Sequence, residues 1–264
     1  MENALAFNGD VEWKRKTLAK LKELQAKGKY SLKDAEIGCL LKGHGHEACD
    51  ELLGIPQNLA RIESCIFNGL LSPEQELWPE RFVLAIEVGA DLSRVAWQFL
   101  RDVLDDIKIP ISTVPLEQDK IENCLQAIKQ VSQLMDKYAQ GRNTTLGLQY
   151  SIEAAESARS AAESARSVSQ TRSAAESARY AAESARSTEY ALEYMLKASL
   201  TSEYTSEYVA DSAESSHYAA SYAVESLRYA ARYAVESGRY VSVDRAYVFM
   251  SDMLIHLLNN VEKE

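Results

Sequence analysis

Ala154–Ser167 reads AAESARSAAESARS and Ala174–Ser187 reads AAESARYAAESARS. Within each seven-residue unit the alanines at the first and fifth places recur at spacings of four and three, the seam of a helical coil, and the alanine at the second place widens that seam. Glu and Arg at the third and sixth places put Glu156 beside Arg159 and Arg159 beside Glu163 on one helix face. Such pairs contribute a few tenths of a kcal/mol each and keep the face hydrated; they recognise nothing by themselves. The beat then passes to tyrosine. Tyr180, Tyr194, Tyr208, Tyr222 and Tyr229 share one heptad place, and Tyr190, Tyr204 and Tyr218 share a second. Small residues (Ala174, Ala178, Ala181, Ala185, Ala213, Ala220, Ala223, Ala230 and Ala234) hold two others. At about 100° per residue the tyrosine places lie nearly opposite the alanine places. Each helix is expected to have a close-packing alanine face and a thick aromatic face.

That pattern predicts several helices rather than one. A single helix from Gln149 to Val261 would be about 170 Å long, which does not suit a 29.4 kDa chain. Helices covered on two opposite sides belong in a bundle, with alanine faces allowing close approach and tyrosine faces filling wider gaps. No Pro follows Pro115, and no Gly lies between Gly147 and Gly238. Breaks are therefore expected near Ser169–Arg172, where one residue drops out of the heptad, near Ser199–Ser202, near Ser212–Ser216 and at Gly238.

Ahead of the repeats the chain reads as short helices punctuated by Gly and Pro. Val11–Ala26 is one, stopped by Gly28. Ser31 with Asp34 caps a second that runs to Leu41. Pro56 stands at the first position of a third, where Leu59, Ile62, Ile66 and Phe67 follow at helical spacing before Gly69 ends it. Ser72-Pro73 is another start signal, and Pro79 is expected to open an element through Ile86. Val95–Ile107 and Glu117–Tyr138 complete the set. The predicted fold is all-α: a bundle of short helices over 1–143, then a heptad-patterned Ala/Tyr-rich multi-helix bundle over 144–264.

Composition bounds the function. With 46% hydrophobic and 26% charged residues, 5 Pro and 11 Gly, the chain has the means to build a core. No apolar run approaches the roughly 20 residues that cross a bilayer, and MENALAFNGD lacks the pattern of a secretory signal, so a cytoplasmic protein is expected, with no membrane partner. The net charge is −10, and both halves are acidic. Binding to a nucleic-acid backbone needs a positive surface, so no nucleic-acid partner is expected, whereas a basic protein would be attracted. Cys39, Cys49, Cys65 and Cys124 include no CxxC pair and read as small buried hydrophobes.

One cluster has ligand chemistry: Cys39-x4-His44-x-His46-x2-Cys49 brings zinc-binding residue types together. Its spacing matches no standard finger, and Gly43 and Gly45 mark a turn between helices, so no metal and no cofactor is predicted. The chain has no GxSxG, no GxxxxGK[ST] and no GxGxxG after a strand. His217 and His256 lie in the helical array. Asp105-Asp106 and Glu74/Glu76 read as solvated helix ends. The expectation is a protein that is not an enzyme. Eleven of the 14 tyrosines lie after residue 179, more than a bundle core needs, and tyrosine is favoured at binding surfaces. Tyr194, Tyr208, Tyr222 and Tyr229 are the candidate partner-binding residues.

Leu53-Gly54-Ile55-Pro56, Leu59-Ala60-Arg61-Ile62-Glu63 and Ile66-Phe67-Asn68-Gly69-Leu70, then Trp78-Pro79-Glu80-Arg81-Phe82 and Ala85-Ile86-Glu87-Val88-Gly89-Ala90-Asp91-Leu92, resemble a family of bacterial immunity proteins of polymorphic toxin systems. The resemblance covers roughly residues 40–107 by motif and 150–235 by composition. Ala96-Trp97-Gln98-Phe99 departs from the Trp-Pro that such sequences carry before the last Phe. It implies a helical protein that protects the producing cell by binding a cognate toxin. Locally, Pro56, Trp78, Pro79, Arg81, Phe82, Gly89 and Asp91 also suit a plain helix–turn–helix corner. In that corner Pro79 opens a helix, Arg81 pairs with an acid, and Phe82 and Ile86 face a core. Gly89 takes a positive φ, and Asp91 caps the helix near Ser93. The function expected is stoichiometric neutralisation of a basic toxin. The alternative is a structural, self-associating helical repeat protein whose heptads form a homo-oligomer.

Overall fold

The computed structural model describes residues 5–26, 47–111, 118–140, 147–164, 169–200 and 205–261. Among these are ten α-helices and no strand: α1 (Val11–Ala26), α2 (Glu47–Leu53), α3 (Gln57–Gly69), α4 (Glu74–Ala85), α5 (Val95–Ile111), α6 (Gln118–Ala139), α7 (Gly147–Ser164), α8 (Ser169–Leu200), α9 (Thr205–Glu236) and α10 (Val243–Asn259). The all-α class follows the heptads and the caps. The helix expected over Ser31–Leu41 lies outside the described residues.

The chain divides into two compact units, one of Met1–Phe99 with Val241–Glu264 and one of Leu100–Tyr240. This grouping differs from a boundary at 143/144. The change from punctuated short helices to heptads marks that boundary, whereas compact units follow which apolar faces bury each other. Helix α6 carries Ile121, Ile128, Val131 and Leu134 on one buried face and packs on α7 and α8. Helix α10 has left the Ala/Ser beat; its Met250, Leu254 and Leu258 are buried, and it packs on α3 and α4.

The first unit is organised by its amino-terminal segment. Leu5 bridges to Asp91, Ala6 N–H donates to the Ala90 carbonyl and Gly89 N–H to the Ala6 carbonyl, both at 2.9 Å. A 3-10 turn over Ala6–Gly9 follows, with Phe7, Asn8 and Gly9 at φ of 54°, 52° and 69°. For Phe7 that conformation costs about 1–2 kcal/mol, and complete burial of its ring offsets it. The same segment leans on Gly54, whose φ is +61° and whose absent Cβ leaves room for the Leu5 carbonyl. Lys14 donates to the carbonyls of Leu84 (3.0 Å) and Ile86 (2.6 Å), placing a cation where the last carbonyls of α4 lack partners.

Two proline positions differ from expectation. Pro79 does not open a helix; it lies inside α4, which starts at Glu74 with Pro73 as its N-cap. The Ser72-Pro73 signal is the true start, and Pro79, buried, costs α4 one backbone bond. Pro56 is the N-cap of α3 rather than its first residue, because its carbonyl accepts the first helical bond, from Ala60 at 2.9 Å.

In the second unit α8 is central, packing on α9, α7 and α6. Helix ends at Ser164/Ser169, Leu200/Thr205 and Glu236 fall near three of the expected breaks, the last closed by Gly238 at φ +73°. The break expected at Ser212–Ser216 is absent, since α9 runs through it. Ser212 is buried there, and its hydroxyl donates to the Ala191 carbonyl of α8 at 2.9 Å. A serine that bonds across helices has no need to interrupt its own.

Candidate functional site

The site is built on the antiparallel pairing of α8 and α9, and that pairing is set by serine. The fourth place of the AAESARS unit is buried on both helices. Ser177 Oγ donates to the Ser226 carbonyl at 2.9 Å, and Ser226 Oγ returns the bond to the Ser177 carbonyl at 2.8 Å. One heptad along, Ser184 Oγ donates to the Ala219 carbonyl at 2.6 Å. One more heptad brings Ser212 to Ala191. Each step forward on α8 is matched by an equal step back on α9, so the heptads of the two helices stay in register. Hydroxyls reach opposing carbonyls only where backbones approach closely. Ala174, Ala178, Ala182, Ala220, Ala223 and Ala231, all buried, permit that approach. Each such bond contributes about 0.5–1.5 kcal/mol net.

The register also determines where the tyrosines meet. They do not fill gaps on the side opposite the alanines; tyrosines of the two helices come together along the flank of the seam. Tyr180 stacks between Tyr229 (centroids 5.4 Å apart, planes at 17°) and Tyr222 (6.0 Å, 28°), and Tyr222 stacks on Tyr218 at 6.4 Å. Further along, Tyr194 stacks on Tyr208 at 6.4 Å. The places lie close enough to the buried arc for a ring to reach across to its partner helix, which a single-helix projection does not show. Arg179 lies over Tyr180 at 4.3 Å and Lys197 over Tyr194 at 5.4 Å, cation–π contacts that also fix the ring planes. The stacked rings are half-buried, except Tyr218, which is 47% exposed.

Beside the ladder the outer face of α9 is acidic. Glu207, Asp211 and Glu214 follow at spacings of four and three and lead into Tyr218, Tyr222 and Tyr229 on the same face. Tyr218 donates to Glu214 at 3.2 Å, and that bond first, with the carboxylate's charge, holds its phenol above the ordinary value. Burial does the same for Tyr180. Glu207 and Asp211 have no ion pair among the described residues, whereas Glu225 pairs with Arg228 and Glu236 with Arg232.

Of the four candidate tyrosines, Tyr194 and Tyr208 form one stacked pair, and Tyr222 and Tyr229 both stack on Tyr180. Tyr180, Tyr218 and Arg179 were missed as site residues. The signal for them is the antiparallel register, legible only once the serine place is known to be the seam. The motif residues form a structural corner in the first unit. Trp78 is buried with its indole N–H on the Glu63 carbonyl at 3.2 Å, and Phe82 and Ile86 are fully buried. Arg81 pairs with Asp252 at 2.8 Å. Gly89 has φ +81°, and Asp91 Oδ1 accepts the Ser93 N–H at 2.9 Å. Cys39, His44 and His46 lie outside the described residues; Cys49 is fully buried. No cluster of three metal-ligating side chains occurs among the described residues. Asp105 accepts from Ser132, tying α5 to α6, and Asp106 pairs with Arg239 in the turn after α9, so neither acid is a merely solvated helix end.

Fold and site together define an all-α protein with a serine-seamed helical hairpin that displays a tyrosine ladder. No helix of the described residues is long and apolar enough to cross a membrane. Comparison with family models, curated proteins and solved structures gives no match, so the resemblance around residues 53–92 rests on its own residues.

Proposed function

We propose that this is a non-catalytic immunity protein that neutralises a cognate bacterial toxin in the cytoplasm by direct association. The tyrosine ladder beside the acidic stripe of α9 carries this reading. Stacked tyrosines are large, stiff, amphipathic anchors that lose little conformational entropy on binding. The carboxylates of Glu207 and Asp211, which have no ion pair among the described residues, speed the encounter with a basic surface. The small-residue faces of α8 and α9 are consumed against each other within one chain, which favours partner binding over self-association as the use of the heptads. Co-expression with each product of neighbouring genes provides the test. One toxic product is expected to be neutralised and bound with sub-micromolar affinity, and Tyr222→Ala with Tyr229→Ala weakens that binding at least about tenfold. Failure to protect against every neighbouring toxin sinks the proposal. Light scattering addresses the self-associating alternative: a 29.4 kDa species independent of concentration argues against it, and a concentration-dependent oligomer argues for it.

A further inference from the structure

Between Ala154 and Ser187 the charge pattern of the repeats is broken once. Arg159, Arg166, Arg179 and Arg186 each follow a glutamate by three residues, but Ser169 holds that place before Arg172. Arg172 is exposed and has no ion pair among the described residues. With Arg159, Glu163, Glu176 and Arg179 it lines a pocket of about 170 Å³ between α7 and α8. Both carboxylates are engaged: Glu163 accepts from Arg159 Nε at 3.4 Å and Glu176 from Arg179 Nε at 2.7 Å. These bonds use the inner nitrogen of each guanidinium, orienting its plane and leaving the terminal nitrogens outside the pair. Three guanidiniums against two carboxylates make a locally positive wall on a chain of net charge −10.

We propose that this pocket binds a phosphate-class oxyanion, either free phosphate or the phosphate group of a small phosphomonoester. Guanidinium forks match the oxygens of such a group, and the pocket holds one together with ordered water. The pocket shares Arg179 with the tyrosine ladder, where its guanidinium lies over Tyr180, but it does not rest on the proposed function. Titration of the full chain with inorganic phosphate and with a phosphomonoester such as glycerol phosphate, at constant ionic strength and followed by calorimetry, tests it. Saturable binding of either is expected, and the arm that binds more tightly identifies the source. Acetate binding as well as phosphate overturns the assignment. Arg172→Gln is expected to lower affinity at least about tenfold. Arg172→Lys, which keeps the charge and loses the fork, lowers it less, and Arg228→Gln, outside the pocket, leaves it unchanged. Absence of saturable binding by the folded protein, or undiminished binding by both Arg172 variants, overturns the proposal.

Discussion

A β-carbon on Gly54 would collide with the Leu5 carbonyl, and its φ of +61° disfavours any L side chain. Gly54→Ala is therefore expected to lose at least about 2 kcal/mol of stability, measured by urea unfolding, whereas Gly89→Ala, with open space around its Cβ, loses only the cost of its φ. Cys124 offers a test of burial. Its thiol is pushed up to about 12 by desolvation, and burial also raises the Tyr233 phenol. A group whose folded value is raised contributes stability that is whole below its unfolded value, about 8.5 for cysteine, and is lost as pH climbs towards the folded one. The thermal midpoint should fall between roughly pH 8.5 and 12, less steeply in Cys124→Ala, and native Cys124 should resist alkylation at pH 8. Positions such as Phe82, Ile86, Gly89 and Asp91 were legible from sequence because their roles are local: an apolar spacing, a turn, a cap. Pro79 was misread because two proline signals lie six residues apart and only one begins a helix. Ser212 differs from expectation because a helical serine signals a polar face or a break, whereas this one is buried inside α9. Only an opposing backbone reveals what Ser177 or Ser212 bonds.

At the level of helices, the heptad made α8 legible and showed which faces are small, but it cut α9 at Ser212–Ser216, where the helix is continuous. It did not settle their mutual register, since one helix's periodicity contains nothing about the helix opposite. With the register known, a deletion experiment becomes specific. Removing 185–191 from α8 and 212–218 from α9 together preserves the pairing of Ser177 with Ser226 and of Ser184 with Ala219, and joins each cut in the same heptad phase. That double deletion is expected to retain a cooperative thermal transition by circular dichroism. Removing 185–191 alone slides every later seam position of α8 past its partner and should broaden or abolish the transition. Ser226→Leu probes the same seam by bulk: with backbones this close, overpacking should cost about 1–3 kcal/mol or more.

For the molecule as a whole, the net charge of −10 and the tyrosine ladder act on different steps of the proposed association, and salt separates them. Long-range attraction between an acidic protein and a basic toxin governs encounter and is screened beyond about 8 Å at physiological ionic strength. Contacts of stacked rings form after encounter and govern escape. Replacing Glu207, Asp211 and Glu214 by their amides removes three exposed or part-exposed charges from α9. That variant is expected to associate more slowly at low salt and to show a flatter dependence of the association rate on salt, with its dissociation rate little changed. Tyr222→Ala with Tyr229→Ala should do the reverse, leaving association and its salt slope intact while dissociation quickens. Stopped-flow mixing with the captured toxin reads both rates. If the two variants alter the same rate in the same way, steering and anchoring are not separable on this surface, and the division of labour between the acidic stripe and the ladder is wrong.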